Sequence, residues 1–241
     1  MPIRLENHIL AGLPPSDLAL LAPSLHVVPS PQNGGPQQHE LERDHVYFPH
    51  EGIVSLLAIT PDGDTIEMAS AGRDGAIGPI PPFDLQDGVL VGLGALRASQ
   101  IAVARLQLVM GESETLRAAI EACGDALLLQ LRQNLVCGGL HPVEHRLPRW
   151  LLEAADRLQS DVIPATQETV AQRLGVRRTT VTLLASKLQE IGAIRWGRSR
   201  IEIFDRALLA SEACTCHAAL RDRMGARLPV DRPAPQKSVG R

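Results

Sequence analysis

Between residues 25 and 110 the apolar positions come in short runs, HVYFP, GIVSLLAIT, TIEMASAG and IAVARLQLVM, with Gly, Pro and Asp between them, as in PDGD. Runs this short, separated by turn signals, predict the strands of a barrel or jelly roll rather than a helix-covered parallel sheet. A short helix is expected before them. The stretch PSPQNGGPQQHE holds too many Pro and Gly for a strand interior and reads as a loop.

From Glu112 the pattern changes. ESETLRAAIEACGDALLLQLRQNL contains no Pro, is rich in helix formers and starts with acidic residues, which predicts a long helix. Its apolar positions Leu116, Ile120, Cys123 and Leu127 follow 4-3-4 spacing, and Gln130 and Asn134 continue the seam in polar form. Such a seam suits pairing with a second copy of the chain; an ordinary core-facing stripe is the alternative. PVEHRLPRWLLEAADRL follows the Gly138-Gly139 break as a second helix, with Pro148 either kinking it or marking its start. From about Gly225 onward the chain is Pro-rich and polar, and disorder is expected there.

Residues 166 to 194, TQETVAQRLGVRRTTVTLLASKLQEIGAI, carry two helical patterns around Gly175. Thr166 is placed to cap the first helix, which ends at Leu174-Gly175. Arg177 or Arg178 opens the second, whose positions Val181, Leu184, Leu188 and Ile191 face inward with Val170 and Leu174, and Gly192 ends it. Arg177, Arg178, Thr179, Thr182 and Ser186 remain outside, with Lys187 near the helix end. Donors gathered at the N-terminal end of a helix are what reading a major groove requires, since that end enters the groove. Arg178 is the candidate for a bidentate contact with guanine. AIRWGRSRIEIF reads as a hairpin wing carrying Arg195, Arg198 and Arg200, suited to phosphates. A helical hairpin used for protein contacts is the bland reading of the same residues.

Charge sharpens this. Residues 164 to 206 hold eight Lys/Arg against four Asp/Glu, and residues 40 to 90 hold two against ten, inside a 241-residue chain of net charge -3. The basic segment marks where a polyanion would bind. The four cysteines, Cys123, Cys137, Cys214 and Cys216, form no regular disulfide framework, and the N-terminus lacks the layout of a secretory signal. A cytoplasmic protein without membrane partners is expected.

With these residues laid out, the chain resembles the Crp/Fnr family of bacterial transcription regulators. DHVYFPHEGIVSLLAITPDGDTIEMASAGRDGAIG is similar to the barrel strands of a subgroup with a divergent sensor domain, and LHPVEHRLPRWLLEAADRL with the helix pair is similar to the linker helix and DNA-reading unit. The resemblance implies an α+β chain: a cyclic-nucleotide-binding-like barrel over residues 1–111, a dimerisation helix and hinge over 112–140, a winged helix-turn-helix domain over 141–224 and a tail over 225–241. It implies a homodimer on an inverted-repeat operator in double-stranded DNA, RNA polymerase as a further partner, control by a signal in the barrel, and no enzymatic activity. A dimer that binds DNA constitutively over a purely structural barrel is the alternative. Thr166, Gln167 and Thr180 join the DNA-binding set by the same resemblance. In the reading helix the family's common Arg-Glu-Thr-Val stands as Arg178-Thr179-Thr180-Val181, so the operator is expected to differ where the glutamate would accept from cytosine.

Departures limit what carries over. The Gly-Glu pair of the cyclic-nucleotide phosphate turn is missing, Gly78 being followed by Pro79, and Arg97-Ala98-Ser99 is only a partial echo of the phosphate-holding run. The surrounding acids oppose an anionic ligand, so the sequence argues against a cyclic nucleotide. No cysteine precedes Cys123, which argues against the family's N-terminal iron-sulfur cluster. Among His26, His39, His45 and His50 nothing singles out a haem ligand. HPVEH, from His141 to His145, fits the H-x-x-E-H pattern of zinc peptidases, but Pro142 between the histidines argues against a rigid helix holding both rings. CTCH brings Cys214, Cys216 and His217 close together, yet shows no fourth ligand, so no metal and no resident cofactor are predicted.

Overall fold

The computed structural model describes residues 6–28, 39–80 and 88–228. The N-terminal part consists of helices α1 (His8–Ala11) and α2 (Pro15–Leu21), then strands β1 (His26–Val28), β2 (His39–Glu40), β3 (His45–Ile59), β4 (Thr65–Ala71) and β5 (Gly88–Ala102). Helices α3 (Val103–Glu112), α4 (Glu114–Leu140) and α5 (Val143–Leu158) follow. The C-terminal part is β6 (Val162–Ile163), α6 (Gln167–Leu174), α7 (Arg178–Glu190), β7 (Ile194–Trp196), β8 (Ile201–Ile203), α8 (Arg206–Glu212) and α9 (Cys216–Arg227).

The N-terminal sheet is antiparallel in the order β1-β5-β3-β4, with β2 also on β5. Among the described residues it stays open rather than closing into the expected barrel. Its two central strands are 15 residues long: β3 joins the two predicted runs HVYFP and GIVSLLAIT through a bend, and β5 includes residues 88–100, outside the predicted runs. The β3–β5 register shifts on both sides of Glu51, beside Gly52 with φ +80°. There a Cβ would lie 2.9 Å from the Leu93 carbonyl oxygen, so the bend needs glycine. IAVARLQLVM is not a strand beyond Ala102: Leu106 and Val109 are buried at a helical spacing in α3, and that period wins.

Ser113 caps α4, its hydroxyl accepting from the Leu116 amide at 3.0 Å. The stripe expected to pair two copies is instead interior. Leu116 and Ile120 are 0 % exposed, Cys123 1 % and Leu127 3 %, since Leu220, Met224 and Leu228 pack into the same core from the α9 side and the sheet covers Leu127. The core-facing alternative holds for these four residues. The exposed large apolar residues of α4 are Leu135, Val136 and Leu140 near its end. The expected disorder from Gly225 is also corrected in part: α9 runs through Arg227 and Leu228 is buried, while residues 229–241 lie outside the described residues. So does most of PSPQNGGPQQHE. Helix α5 starts at Val143 and contains Pro148 in its interior.

A second core unites α5 with the three-stranded sheet β6-β8-β7 and α6 to α8, and it takes in Ile53 and Leu93 of the N-terminal sheet. The two halves therefore share buried surface.

Candidate nucleic-acid interface

Helices α6 and α7 form the predicted pair. The Thr166 hydroxyl accepts from the Thr169 amide at 3.1 Å, leaving α6 capped, and Gly175 takes the left-handed conformation, φ +63°, that ends it. Val170, Leu174, Val181, Leu184 and Leu188 are buried as expected. Ile191 is not: it is the C-terminal cap of α7 and 46 % exposed, because the helix stops at Glu190 before the stripe reaches it.

Arg177 caps the N-terminus of α7 by backbone alone, with no side-chain bond to the first amides. Arg177, Arg178 and Thr179 are all exposed and Thr180 is half-buried, its amide donating to the Arg177 carbonyl at 3.0 Å. The Thr182 hydroxyl lies 2.7 Å from Gln167 Oε1 and 3.0 Å from the Arg178 carbonyl. Ser186 donates to the Thr182 carbonyl at 3.2 Å, so both hydroxyls are turned back on the helix and would have to rotate to meet a base. Lys187, the next residue, is exposed. Leu183, 61 % exposed on this face, was missed by the sequence reading, which sorted apolar residues inward; its position between Thr182 and the buried Leu184 was the available signal.

The wing is the β7–β8 hairpin, tied to α7 by the Trp196 amide donating to Gln189 Oε1 at 2.8 Å. Arg200 pairs with Glu202 at 2.7 Å, and Arg195 lies 3.9 Å from the same carboxylate and over the Phe204 ring. Arg198 stands exposed at the tip.

The opposite face of the helix pair is a contact with the N-terminal sheet that sequence reasoning missed. Arg173, 0 % exposed, donates to Glu67 of β4 at 3.0 Å. Glu67 also accepts from Trp150 Nε1 at 3.3 Å and from the Ser70 hydroxyl at 3.4 Å. Burial lowers the pKa of the Arg173 guanidinium and the Glu67 carboxylate counters it. Thr65 donates to the Gln172 carbonyl at 3.3 Å, and Arg146 donates to the Leu174 carbonyl.

The phosphate-turn echo is spent on neighbours. Arg97 pairs with Glu6, and the Ser99 hydroxyl bonds His50 Nε2 at 2.8 Å. Because His50 Nδ1 accepts from the Asn7 amide at 3.2 Å, its ring is neutral with the proton on Nε2; burial, then Arg97, lowers its pKa. His26 is exposed, and His45 sits between Glu42 and Asp44. The side chain of His39 lies outside the described residues.

The two histidines of HPVEH part company, with His145 Nδ1 donating to the Glu212 carbonyl at 2.8 Å, so the peptidase arrangement is not formed. CTCH does not close on itself either, since His217 turns to Asp156 at 3.2 Å. Two side chains from elsewhere in the chain join the cysteine pair instead: Cys214 and Cys216 meet Cys137 and His141, the four potential donor atoms lying within 4.8 Å of one another. Burial and the neighbouring thiols push the Cys214 pKa up and that of Cys216 to about 12.

Residues 145–212 match the family model of the Crp-like helix-turn-helix domain. Among solved structures, the chain is similar to the c-di-GMP-responsive global regulator CLP of Xanthomonas campestris, at 16 % identity and TM-score 0.62 over 79 % of this chain and 99 % of that one. It is similar to a Crp/Fnr family transcriptional regulator from Thermus thermophilus, at 20 % identity and TM-score 0.58 over 78 % and 97 %. A comparison with curated proteins found no match. Residues 145–212 are thus a Crp-like helix-turn-helix domain, and the described chain shares its fold with these Crp/Fnr-type structures. No helix among the described residues is long and apolar enough to cross a membrane.

Proposed function

We propose that the chain acts in the cytoplasm as a homodimer that reads an inverted-repeat operator with α7 and answers to a signal received by the N-terminal sheet. The observation that carries this reading is the N-terminal end of α7, which has no side-chain cap and where exposed Arg177, Arg178 and Thr179 stand together in a domain that also carries an arginine-bearing hairpin. The guanidinium of Arg178 matches guanine O6 and N7, while Thr179 and Leu183 suit thymine methyl groups. Thr182 and Ser186 supply adaptable hydroxyls, and Gln167 orients Thr182. Thr166 and Thr180 frame the helix ends near the backbone. Lys187, Arg195, Arg198 and Arg200 meet phosphates, which fix register without reading sequence.

The exposed Leu135, Val136 and Leu140 on α4 are the surface we assign to the second copy, in place of the interior stripe. Pairing there sets two reading helices about one DNA turn, roughly 34 Å, apart. Residues 1–111 receive the signal, 112–140 pair and hinge, and 141–224 read DNA, with α9 belonging by its packing to α4. The Glu67–Arg173 contact supports coupling, because a ligand that favours one arrangement of β4 would bias α6 and α7 with it. RNA polymerase is the expected partner of the bound dimer. The engagement of Arg97 and Ser99 by Glu6 and His50 speaks against a cyclic phosphate in that turn.

Selection of bound sites from random duplex DNA tests the reading. Enrichment of an inverted repeat supports it; enrichment of a single half-site removes the dimer, and no enrichment with any added small molecule removes sequence reading.

A further inference from the structure

The Cys137, His141, Cys214 and Cys216 side chains meet where the last turn of α4 and its C-terminal cap come against the link between α8 and α9 and the first residue of α9. Cys137 Sγ lies 3.8 Å from Cys214 Sγ, and Cys216 Sγ lies 3.6 Å from His141 Nδ1. Around a tetrahedral zinc ion with bonds of about 2.3 Å to sulfur and about 2.0 Å to nitrogen, ligand atoms stand roughly 3.8 Å apart for two sulfurs and roughly 3.5 Å for sulfur and nitrogen. These two separations match a single ion, and all four donor atoms lie within 4.8 Å of one another. The Cys137–Cys214 separation is also well beyond a disulfide, whose sulfurs stand about 2.05 Å apart.

From this geometry we propose that Cys137, His141, Cys214 and Cys216 bind one zinc ion in a closed, structural Cys3His site. On binding, the three thiols lose their protons and become thiolates, and His141 coordinates as a neutral imidazole through Nδ1. Three thiolates around a divalent ion leave one net negative charge; Cys137 shares a cleft with Arg146 and Arg149, and because Arg149 is already paired with Glu153 at 2.7 Å, Arg146 is the guanidinium placed to offset it. The backbone braces the ligands from the other side, with Cys214 N–H donating to the His145 carbonyl at 3.2 Å and His145 donating to Glu212. All four coordination positions are protein atoms, which leaves none for a substrate and marks a structural rather than catalytic centre. The ion fastens the exit of the DNA-reading unit to its entrance at the α4–α5 hinge, and so fixes where α9 turns back onto α4.

The test uses untagged full-length protein and does not involve DNA, so its outcome is separate from that of the operator selection. Metal analysis should find one zinc per chain. Cobalt(II) exchanged for zinc should give the intense visible bands of a tetrahedral site together with sulfur-to-cobalt charge transfer, saturating at one equivalent. Cys214→Ser, Cys216→Ser and His141→Ala should lose the metal, whereas Cys123→Ser, whose thiol is buried in a different core, should keep it. The cobalt titration of the unaltered protein does not depend on any variant folding. Zinc retained in Cys214→Ser overturns the site, as does unaltered protein that holds no zinc and gives only the weak spectrum of six-coordinate cobalt. Metal-free protein in which mild oxidant joins Cys137 to Cys214 overturns it in favour of a redox pair.

Discussion

Arg173 and Arg178 stand on the two sides of Gly175, and their surroundings are opposite. Arg173 is enclosed on Glu67 of the N-terminal sheet, whereas Arg178 is exposed in the first turn of α7. One face of the helix pair is therefore built to hold another part of the chain, and the other is left for a partner. The comparison corrects the charge argument. Eight Lys/Arg over residues 164 to 206 overstate the field presented to DNA, because Glu67 neutralises Arg173, Asp156 and Asp161 neutralise Arg206, and Glu202 attends Arg195 and Arg200. Among the described residues, the guanidiniums of this segment left without a carboxylate partner are a smaller set, Arg177, Arg178 and Arg198.

The largest effect should come from breaking the buried pair. Arg173→Ala leaves the Glu67 carboxylate buried with only Trp150 and Ser70 as donors, and loss of one partner of such a pair costs about 3–5 kcal/mol. Chemical denaturation should register this, and the double variant Glu67→Leu with Arg173→Met should recover most of it, since an apolar pair removes both desolvation penalties. A single-variant cost under about 1 kcal/mol would mean that the pair behaves as a surface ion pair and would end its claim to link the halves. Arg178→Ala is the counterpart. Its stability should stay within about 0.5 kcal/mol, while binding to the selected operator should weaken by about 1–3 kcal/mol and preference at one base should relax. Equal weakening at every sequence would reassign Arg178 to phosphate.

The same contrast explains what could be read in advance. The helix pair and wing were legible because short-range signals agree there: a cap at Thr166, a left-handed Gly175, and apolar periods that bury Val170, Val181 and Leu188. The α4 stripe was legible as a stripe but not as to its partner. Periodicity reports that Leu116 to Leu127 must be covered, and cannot say whether a second chain or α9 covers them; α9 lies about a hundred residues further along the chain. Glu67 with Arg173 and Cys137 with Cys214 were invisible for the same reason, being joined only by folding. Within a local window CTCH offered its neighbour His217, while the histidine that meets the thiols is His141. In the sequence the 15-residue β3 reads as two runs, HVYFP and GIVSLLAIT, whereas in the fold Gly52 lets one continuous strand bend, and residues 88–100 of β5 fall outside the predicted runs.

A smaller effect separates the shape of the reading unit from its chemistry. Thr166→Ala removes the hydroxyl that accepts from the Thr169 amide and should cost about 1 kcal/mol of stability. At temperatures where the variant remains folded, its base preferences should match those of the unaltered protein. A changed preference would mean that Thr166 touches the operator itself.

The smallest effect belongs to the wing. Arg198 stands at the hairpin tip, so Arg198→Ala should remove one phosphate contact and lower the slope of log affinity against log salt by about one. Arg200→Ala should change the slope less, because Glu202 already engages that guanidinium at 2.7 Å in the free protein; DNA would have to draw it from a carboxylate. Both variants should keep the full base preference, since a phosphate carries no sequence. If Arg198→Ala instead alters the selected sequence while leaving the salt slope unchanged, the wing tip enters a groove, and sequence is then read by two elements of this domain, helix and hairpin together.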